Sequence, residues 1–120
     1  MATEGTDEFG TFRRVQGVGV LTLWGGPFEQ GRAQGRLLAQ GVLDIVDTVC
    51  GSNLLIAWPG QYERVIVPLV ERFTFEAEEE RELEGILAGV RERLGNKAVL
   101  PRLGRELTLA DLKACNTAGD

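Results

Sequence analysis

The pattern that most limits how this 120-residue chain can fold is a row of small and apolar residues spaced like one face of a helix. Pro27 suits the first helical position, because a missing N–H costs nothing there. The row runs from Gly31 through Gly35 to position 49 in steps of three and four, and Gly51 is placed to end the helix. Each internal glycine costs about 1 kcal/mol of helix propensity relative to alanine. We therefore expect both glycines to let another backbone approach this helix closely.

The segments before this helix predict a lead and a strand. Residues 1–10 predict a flexible lead, and Gly25 and Gly26 turn the chain into the helix. Residues 13–24 carry apolar side chains at both odd and even positions. Since neighbouring side chains of a strand point to opposite faces, this predicts a strand buried on two faces. A single strand has no sheet to join within the chain, so the pattern favours a sheet completed by another polypeptide.

Further helices are predicted after residue 60. Residues 62–73 predict one helix, and Thr74 is a suitable cap for the next, which runs to Leu94. That helix has a regular apolar face, with acids in its first turn and arginines in its last, as the helix dipole favours. Gly95 and the asparagine after it are placed to end it.

A capping-box pattern precedes the last predicted helix. Thr108 and Asp111 have the spacing at which each side chain satisfies the amide of the other residue. A short helix from Leu109 to about Asn116 should follow. In total the chain predicts one strand and about four helices, in a single domain over residues 1–120.

Composition excludes several kinds of site. The chain has no histidine and one serine, Ser52, so it cannot by itself supply a Ser–His or Cys–His catalytic pair. Histidine-ligated zinc is excluded for the same reason, and two distant cysteines make a poor thiolate site, so we expect no metal and no cofactor. The net charge of −5 and pI near 4.8 argue against a nucleic-acid partner, because phosphate binding depends on clustered lysine and arginine.

The same inspection predicts a cytoplasmic protein without a membrane partner. No apolar run reaches the roughly 18 residues of a membrane span. The first ten residues lack the basic start and apolar stretch of a signal peptide. Cys50 and Cys115 are too few for a disulfide framework, which fits a reducing compartment.

The segment from Gly25 to Gly35 resembles the N-terminal motif of the acyl-coenzyme A:6-aminopenicillanic acid acyltransferase-like family of N-terminal-nucleophile hydrolases. That motif reads approximately Gly-x-Pro-[Tyr/Phe]-Glu-x-Gly-x-x-x-Gly and follows a strand. The end of the chain, residues 112–120, resembles the stretch just before the bond at which these precursors cut themselves. The residues that match the glycine motif are Pro27, Phe28, Glu29, Gly31 and Gly35.

The resemblance implies that this chain is the small (alpha) subunit of a self-cleaved precursor. The cut would follow Asp120, and Cys115, Asn116 and Gly119 would lie near it. The nucleophile would be the N-terminal cysteine of the large (beta) subunit, so no catalytic residue is expected in this chain, which alone would be inactive.

The resemblance also implies a fold and a substrate class. The fold would be α+β, with an N-terminal strand and about four helices contributing to a four-layer αββα sandwich completed by the partner chain. Glu29, Gly31 and Gly35 would serve in subunit packing. The substrate would be a small N-acylated compound, and hydrolysis and acyl transfer both remain open.

Simpler interpretations stand beside these roles. Glu29 in the first helical turn complements the helix dipole, with a role at the site as the alternative. Cys50 and Cys115 are interpreted as buried, inert thiols, because no histidine is present to activate them. Asn116 either ends its helix or hydrogen-bonds the scissile peptide.

A second function, from a different class, is a non-catalytic and mainly helical binding or adaptor module. Its glycines would pack helices together, and its acidic surface would meet a partner. Such a module should be compact alone, whereas a severed subunit should expose residues 15–24 and the glycine row.

Overall fold

Within residues 4–51 and 76–118, the part of the chain that the computed structural model describes, there are four helices and two small antiparallel sheets. The first sheet contains β1 (Gly5–Asp7), β2 (Gly10–Val15) and β3 (Val18–Leu23). The helices are α1 (Pro27–Leu37), α2 (Ala39–Gly51), α3 (Ala77–Leu94) and α4 (Leu109–Ala118). A 3₁₀ turn (Gly95–Lys97) and a ribbon of β4 (Val99–Leu100) and β5 (Arg105–Glu106) connect α3 to α4. The fold is α+β, as predicted; the helix predicted at residues 62–73 and the cap at Thr74 lie outside the described residues.

The segment predicted as one strand, residues 13–24, belongs to a hairpin, so that prediction was wrong. β2 and β3 pair antiparallel, with Val15 opposite Val18. Gln16 and Gly17 between them have φ values of 52° and 82°, the conformation that a two-residue turn needs to match the twist of a hairpin. With only those two residues in the turn, the apolar pattern continues from one strand into the next and reads as a single element.

The sheet is assembled within the chain, which corrects a second prediction. β1 pairs with the other edge of β2, with Gly5 opposite Phe12. Residues Gly5–Asp7, within the stretch predicted as a flexible lead, are therefore a strand. The expectation that a lone strand had no sheet to join in this chain was wrong for the same reason.

The two faces of this sheet have different surroundings. Phe12 is buried on the face against which α1 packs. On the other face, Val15, Val18 and Val20 are 56%, 64% and 41% exposed. The prediction that both faces are buried is therefore wrong for the residues described.

The long helix predicted from Pro27 to Gly51 is divided at Leu38, where φ is −121° and ψ is 29°. The break rotates the apolar row, so that Ile45, on the predicted stripe, is 61% exposed. α2 instead contributes to a core shared with α3, α4 and the β4–β5 ribbon. The positions of α2 that are buried in this core are Ala39, Leu43, Val46 and Cys50.

Helix α3 follows the sequence prediction closely. Ile86 and Val90 are buried, as the apolar face predicts. Gly95 ends the helix with a φ of 56°, a conformation that side-chain-bearing residues rarely adopt. The predicted end of this helix is therefore confirmed.

Two glycines of α1 bring its backbone directly against α3. A Cβ on Gly31 would overlap the carbonyl oxygen of Glu82, and a Cβ on Gly35 would overlap that of Ile86. The hydrogen that each glycine has in place of a side chain points at the opposite carbonyl, as in Cα–H···O contacts between helices. The prediction of a close backbone approach at this stripe is confirmed, and the approaching backbone belongs to the same chain.

The contact is reciprocal, because α3 presents two glycines of its own. A Cβ on Gly85 would overlap the carbonyl oxygen of Phe28, and a Cβ on Gly89 would overlap that of Arg32. Contacts advance by four residues on both helices together, so α1 and α3 run parallel. Each helix thus uses glycines four residues apart to seat the backbone of the other helix.

This packing predicts that Gly35→Ala destabilises the protein. The added Cβ would lie 2.9 Å from the amide nitrogen of Val90 and 3.0 Å from the Cα of Gly89, so backbone has to move. Overpacking of this kind costs about 1–3 kcal/mol of the free energy of unfolding. Urea unfolding followed by circular dichroism measures the change.

The matched control is Gly41→Ala in α2, where a Cβ meets no atom within 4 Å. Only helix propensity changes there, so this variant should be more stable by roughly 0.5–1 kcal/mol. Equal effects of the two substitutions would contradict the close contact.

Candidate functional site

The first turn of helix α4 contains a buried acid, Asp111, whose side chain is fully enclosed. Its Oδ2 accepts hydrogen bonds from the amide and hydroxyl groups of Thr108, at 2.8 and 2.9 Å. The Thr108 hydroxyl oxygen lies 3.4 Å from the Asp111 amide nitrogen. The predicted capping box is therefore confirmed, and it satisfies amides that the first turn of a helix leaves without partners.

A salt bridge attaches the same acid to the β4–β5 ribbon. Arg105 donates from Nη1 to Oδ2 of Asp111 at 2.7 Å and from Nη2 to Oδ1 at 2.8 Å. A two-point bond of this kind fixes orientation as well as distance. The sequence analysis missed Arg105, which lies six residues before Asp111, because neither capping-box spacing nor helical periodicity relates residues at that separation.

The predicted near-site residues divide between α4 and the part of the chain that is not described. Cys115 and Asn116 lie in α4, just over one helical turn after Asp111. Gly119, Asp120 and the side chain of Asn116 lie outside the described residues. The structure thus brings Cys115 and Asn116 onto the helix that leads to the predicted cleavage site.

Neither cysteine has the surroundings of a nucleophile. Burial raises the pKa of the Cys115 thiol, which packs partly buried against the core. A higher pKa reduces the population of thiolate, the reactive form. Cys50 is fully buried, with its Sγ 3.7 Å from the carbonyl oxygen of Asp111. These surroundings suit the inert thiols that the sequence predicts.

The glycine motif lies at a junction of strand, turn and helix. Gly25 has a φ of 94°, and a Cβ there would lie 2.8 Å from the ring of Phe9. The Gln30 side-chain amide closes the turn by donating to the Gly25 carbonyl at 2.8 Å. The carboxylate of Glu29 lies over Gly26, such that a Cβ on Gly26 would be 3.0 Å from its Oε2. A negative charge at this end of α1 suits the helix-dipole interpretation of Glu29.

A cluster of four charged residues joins α1, α3 and β1. Glu92 accepts hydrogen bonds from Nε of Arg32 at 3.0 Å and Nε of Arg36 at 2.6 Å. Arg36 also reaches Asp7, with 3.3 Å between Nη1 and Oδ1. The hydrogen bond from Arg32 lowers the pKa of Glu92; burial opposes that effect, and Arg36 adds to the lowering. This cluster borders the glycine contact and links the two helices beside it.

A second buried acid, Asp47, attaches α2 to the loop between β4 and β5. Its carboxylate accepts from the Arg102 amide at 3.0 Å and from Arg102 Nη1 at 2.9 Å. Asp47 is 7% exposed. It resembles Asp111 in burial and in having an arginine partner, but it holds a different helix.

Two clefts of the described part of the chain lie side by side along α1. Two open clefts of about 330 and 370 Å³ share Arg36, Leu37 and Arg93, and no cysteine lines either. Among residues 4–51 and 76–118, no cluster of three or more acids or cysteines could hold a metal ion. In the same ranges, no helix has the length and apolar character needed to cross a membrane.

Comparison with known proteins adds no relative. No protein-family model matches the chain, and searches of curated proteins and of solved structures find no similar protein.

The charge cluster predicts a pH-dependent effect of Glu92→Gln. Because the folded-state pKa of Glu92 is lowered, its stabilising contribution is present above the unfolded pKa near 4.5 and is lost as pH falls through the folded value. Near neutral pH the variant should lose about 0.2–1 kcal/mol of the free energy of unfolding, as for exposed ion pairs. Urea unfolding at pH 7 and at pH 3 tests this, and a loss of equal size at both pH values would contradict it.

The burial of Cys115 predicts slow alkylation. In a Cys50→Ala background, iodoacetamide at pH 8 should label folded protein more slowly than protein unfolded in urea, because burial raises the pKa of the Cys115 thiol and lowers its thiolate population. Intact mass measured over time gives both rates. Equal rates would show an accessible and ionisable thiol.

Proposed function

We propose that this chain is the small subunit of a self-processing N-terminal-cysteine amide hydrolase or acyltransferase. Its large subunit comes from the same precursor and completes the four-layer αββα sandwich. The enzyme is cytoplasmic, acts on a small N-acylated substrate and needs no cofactor. The catalytic nucleophile is the N-terminal cysteine of the large subunit.

The observation that carries this proposal is the junction between β3 and α1. The family motif follows a strand, and here Pro27 opens α1 after β3 and the turn at Gly25 and Gly26. The two later motif glycines lie at a contact that excludes any larger side chain. The motif therefore has the local structure that its residue types require.

The outer face of the β2–β3 hairpin is an argument that this chain binds a partner chain. Val15, Val18 and Val20 form an exposed apolar patch there, beside Arg13, which lies opposite Val20. Among the strands within residues 4–51 and 76–118, β3 lies at an edge of its sheet, and its residues 18–23 include no charge and no proline. Edge strands of isolated proteins usually carry such residues because an unprotected edge pairs with other chains. An exposed apolar face and an edge strand without charged residues are expected of a subunit whose partner chain covers both in the assembly.

The chemistry of the proposed enzyme needs no histidine. A free α-amino group has a pKa near 7.7–8, so at neutral pH part of its population can accept the proton of the adjacent thiol. The thiolate attacks the acyl carbon of the substrate, and the amine leaves with a proton as an acyl-enzyme forms. Water or a second amine then takes the acyl group, and the thiol is regenerated.

Maturation of the precursor uses the same thiol. Its sulfur attacks the carbonyl carbon of Asp120, the peptide C–N bond breaks, and the thiol proton goes to the new amine. Water then hydrolyses the thioester, which leaves a carboxyl group on Asp120 and restores the thiol. In this proposal α4 has the task of holding the end of the small subunit beside the nucleophile.

A non-catalytic binding module is the second candidate function. It is favoured by the glycine row, which is covered by α3 within the chain and not left for a partner. The exposed valines of the hairpin would then be the binding surface of the module.

Intact-mass spectrometry of protein made from the full-length gene separates the two functions. We expect a 13.1 kDa species ending at Asp120 that co-purifies with a larger chain beginning with cysteine. An uncleaved product, or a 13.1 kDa protein encoded with a stop codon after Asp120, would contradict the subunit proposal. The binding module would then be the working hypothesis.

A further inference from the structure

We propose that the edge of β3 that faces away from β2 pairs with the same edge of a second copy of this chain. The two strands would run antiparallel about a two-fold axis at Leu21, and two three-stranded sheets would become one sheet of six strands. This pairing needs no other chain, so it goes beyond the proposed function. A large subunit on the same edge would compete with it.

The first step of the argument is that the register of the hairpin fixes which backbone groups of β3 point away from β2. Val15 and Val18 flank the two-residue turn and therefore exchange hydrogen bonds, and such pairs recur at every second residue. The Trp24 amide donates to the Phe9 carbonyl at 3.0 Å, as this alternation requires. The N–H and C=O groups of residues 19, 21 and 23 therefore point to the outer edge, where no strand of the described ranges pairs with them.

The second step is that these edge groups are arranged symmetrically. A two-fold axis at Leu21 places Gly19 of each copy opposite Leu23 of the other copy, and Leu21 opposite itself. All three residues of both strands then form hydrogen-bonded pairs of an antiparallel ladder. Because the same surface of each copy is used up, the association closes at two copies.

The third step is that this register pairs side chains that one chain leaves exposed. Across the new strand pair, Val18 of one copy lies opposite Trp24 of the other, and Val20 lies opposite Thr22. Val18, Val20 and Trp24 are all large apolar residues with at least 41% of their surface exposed. Pairs of an aromatic and a β-branched side chain across neighbouring strands stabilise a sheet.

The fourth step is that the two edges of the sheet differ in charge. At the β1 edge, Glu4 accepts a hydrogen bond from the Arg14 amide and Asp7 pairs with Arg36; charged residues at an edge block pairing with other chains. β3 brings no charge to its edge. Arg13 on β2 would lie three strand spacings, about 14 Å, from Arg13 of the other copy. That exceeds the Debye length of about 8 Å at physiological salt, so two β3 edges meet without strong repulsion.

Sedimentation of the 120-residue chain tests the association directly. The chain is used by itself, because its sheet and its core assemble from its own residues. An edge-to-edge pair of short strands is a small interface, below about 1,200 Å², which is typical of weak complexes. We therefore expect the mass to rise from 13.1 kDa toward twice that value between roughly 5 and 500 µM.

Two lysine substitutions distinguish edge pairing from stacking of the apolar faces. Val20 and Val15 are exposed on the same face, but Val20 lies on β3 and Val15 on the central strand β2. We expect Val20→Lys to weaken association about tenfold or more, because lysine on an edge strand opposes pairing. Val15→Lys, the matched control, should change it less than about threefold. Circular dichroism checks that both variants keep the fold.

Amide hydrogen exchange followed by NMR needs no substitution and contains its own control. The amides of residues 18, 20 and 22 face β2 and should be protected at every protein concentration. The amides of residues 19, 21 and 23 should exchange quickly in dilute protein and slow roughly fivefold or more when the concentration favours the dimer.

Four outcomes would overturn the inference. The chain could stay monomeric over the whole concentration range, or the two lysine variants could weaken association equally, as stacked faces would require. Protection of residues 19, 21 and 23 in dilute protein would show that another part of the same chain covers the edge. Protection that appears only with a co-purified large subunit would assign the edge to that subunit. The proposed function fails on a different observation, an uncleaved full-length product, which leaves these measurements unaffected.

Discussion

The contact between the glycines of α1 and those of α3 is the constraint on which the rest of the structure depends. It brings two parallel helices within backbone distance, at a spacing that no side chain larger than hydrogen allows. The opposite side of α1 then faces the three-stranded sheet, and α3 continues into the core shared by α2, α4 and the ribbon. Parallel helices align their dipoles unfavourably, and the bonds from Arg32 and Arg36 to Glu92 offset part of that cost at the edge of the contact.

Buried charge has a consistent place in this fold. Asp47 and Asp111 each lie where a helix meets the β4–β5 ribbon, and each is held by an arginine of that ribbon or its loop. A buried carboxylate without such partners would be strongly destabilising. The two pairs therefore specify how α2 and α4 sit on the ribbon, as well as contributing to stability.

The candidate site was predictable to the extent that its signals are local. The capping box of Thr108 and Asp111 is visible in the sequence because both partners lie within one turn. The close approach at Gly31 and Gly35 was predictable from glycines that helix propensity disfavours. Gly85 and Gly89 have the same spacing in α3 and could have been found in the same way. Arg105 was not found, because no capping or periodic spacing relates two residues six apart where a strand leads into a helix.

By itself, the sequence determined the helices with strong local signals, the capping box, the absence of histidine and the small residues at the helix contact. Tertiary structure decided which surfaces these elements use. The apolar run around Gly17 became two strands because a turn with positive φ closes it into a hairpin. The apolar row beyond Leu38 rotated because α2 packs on a different core from α1. Periodicity records which residues share a face, whereas the partner of that face depends on contacts between segments distant in the chain.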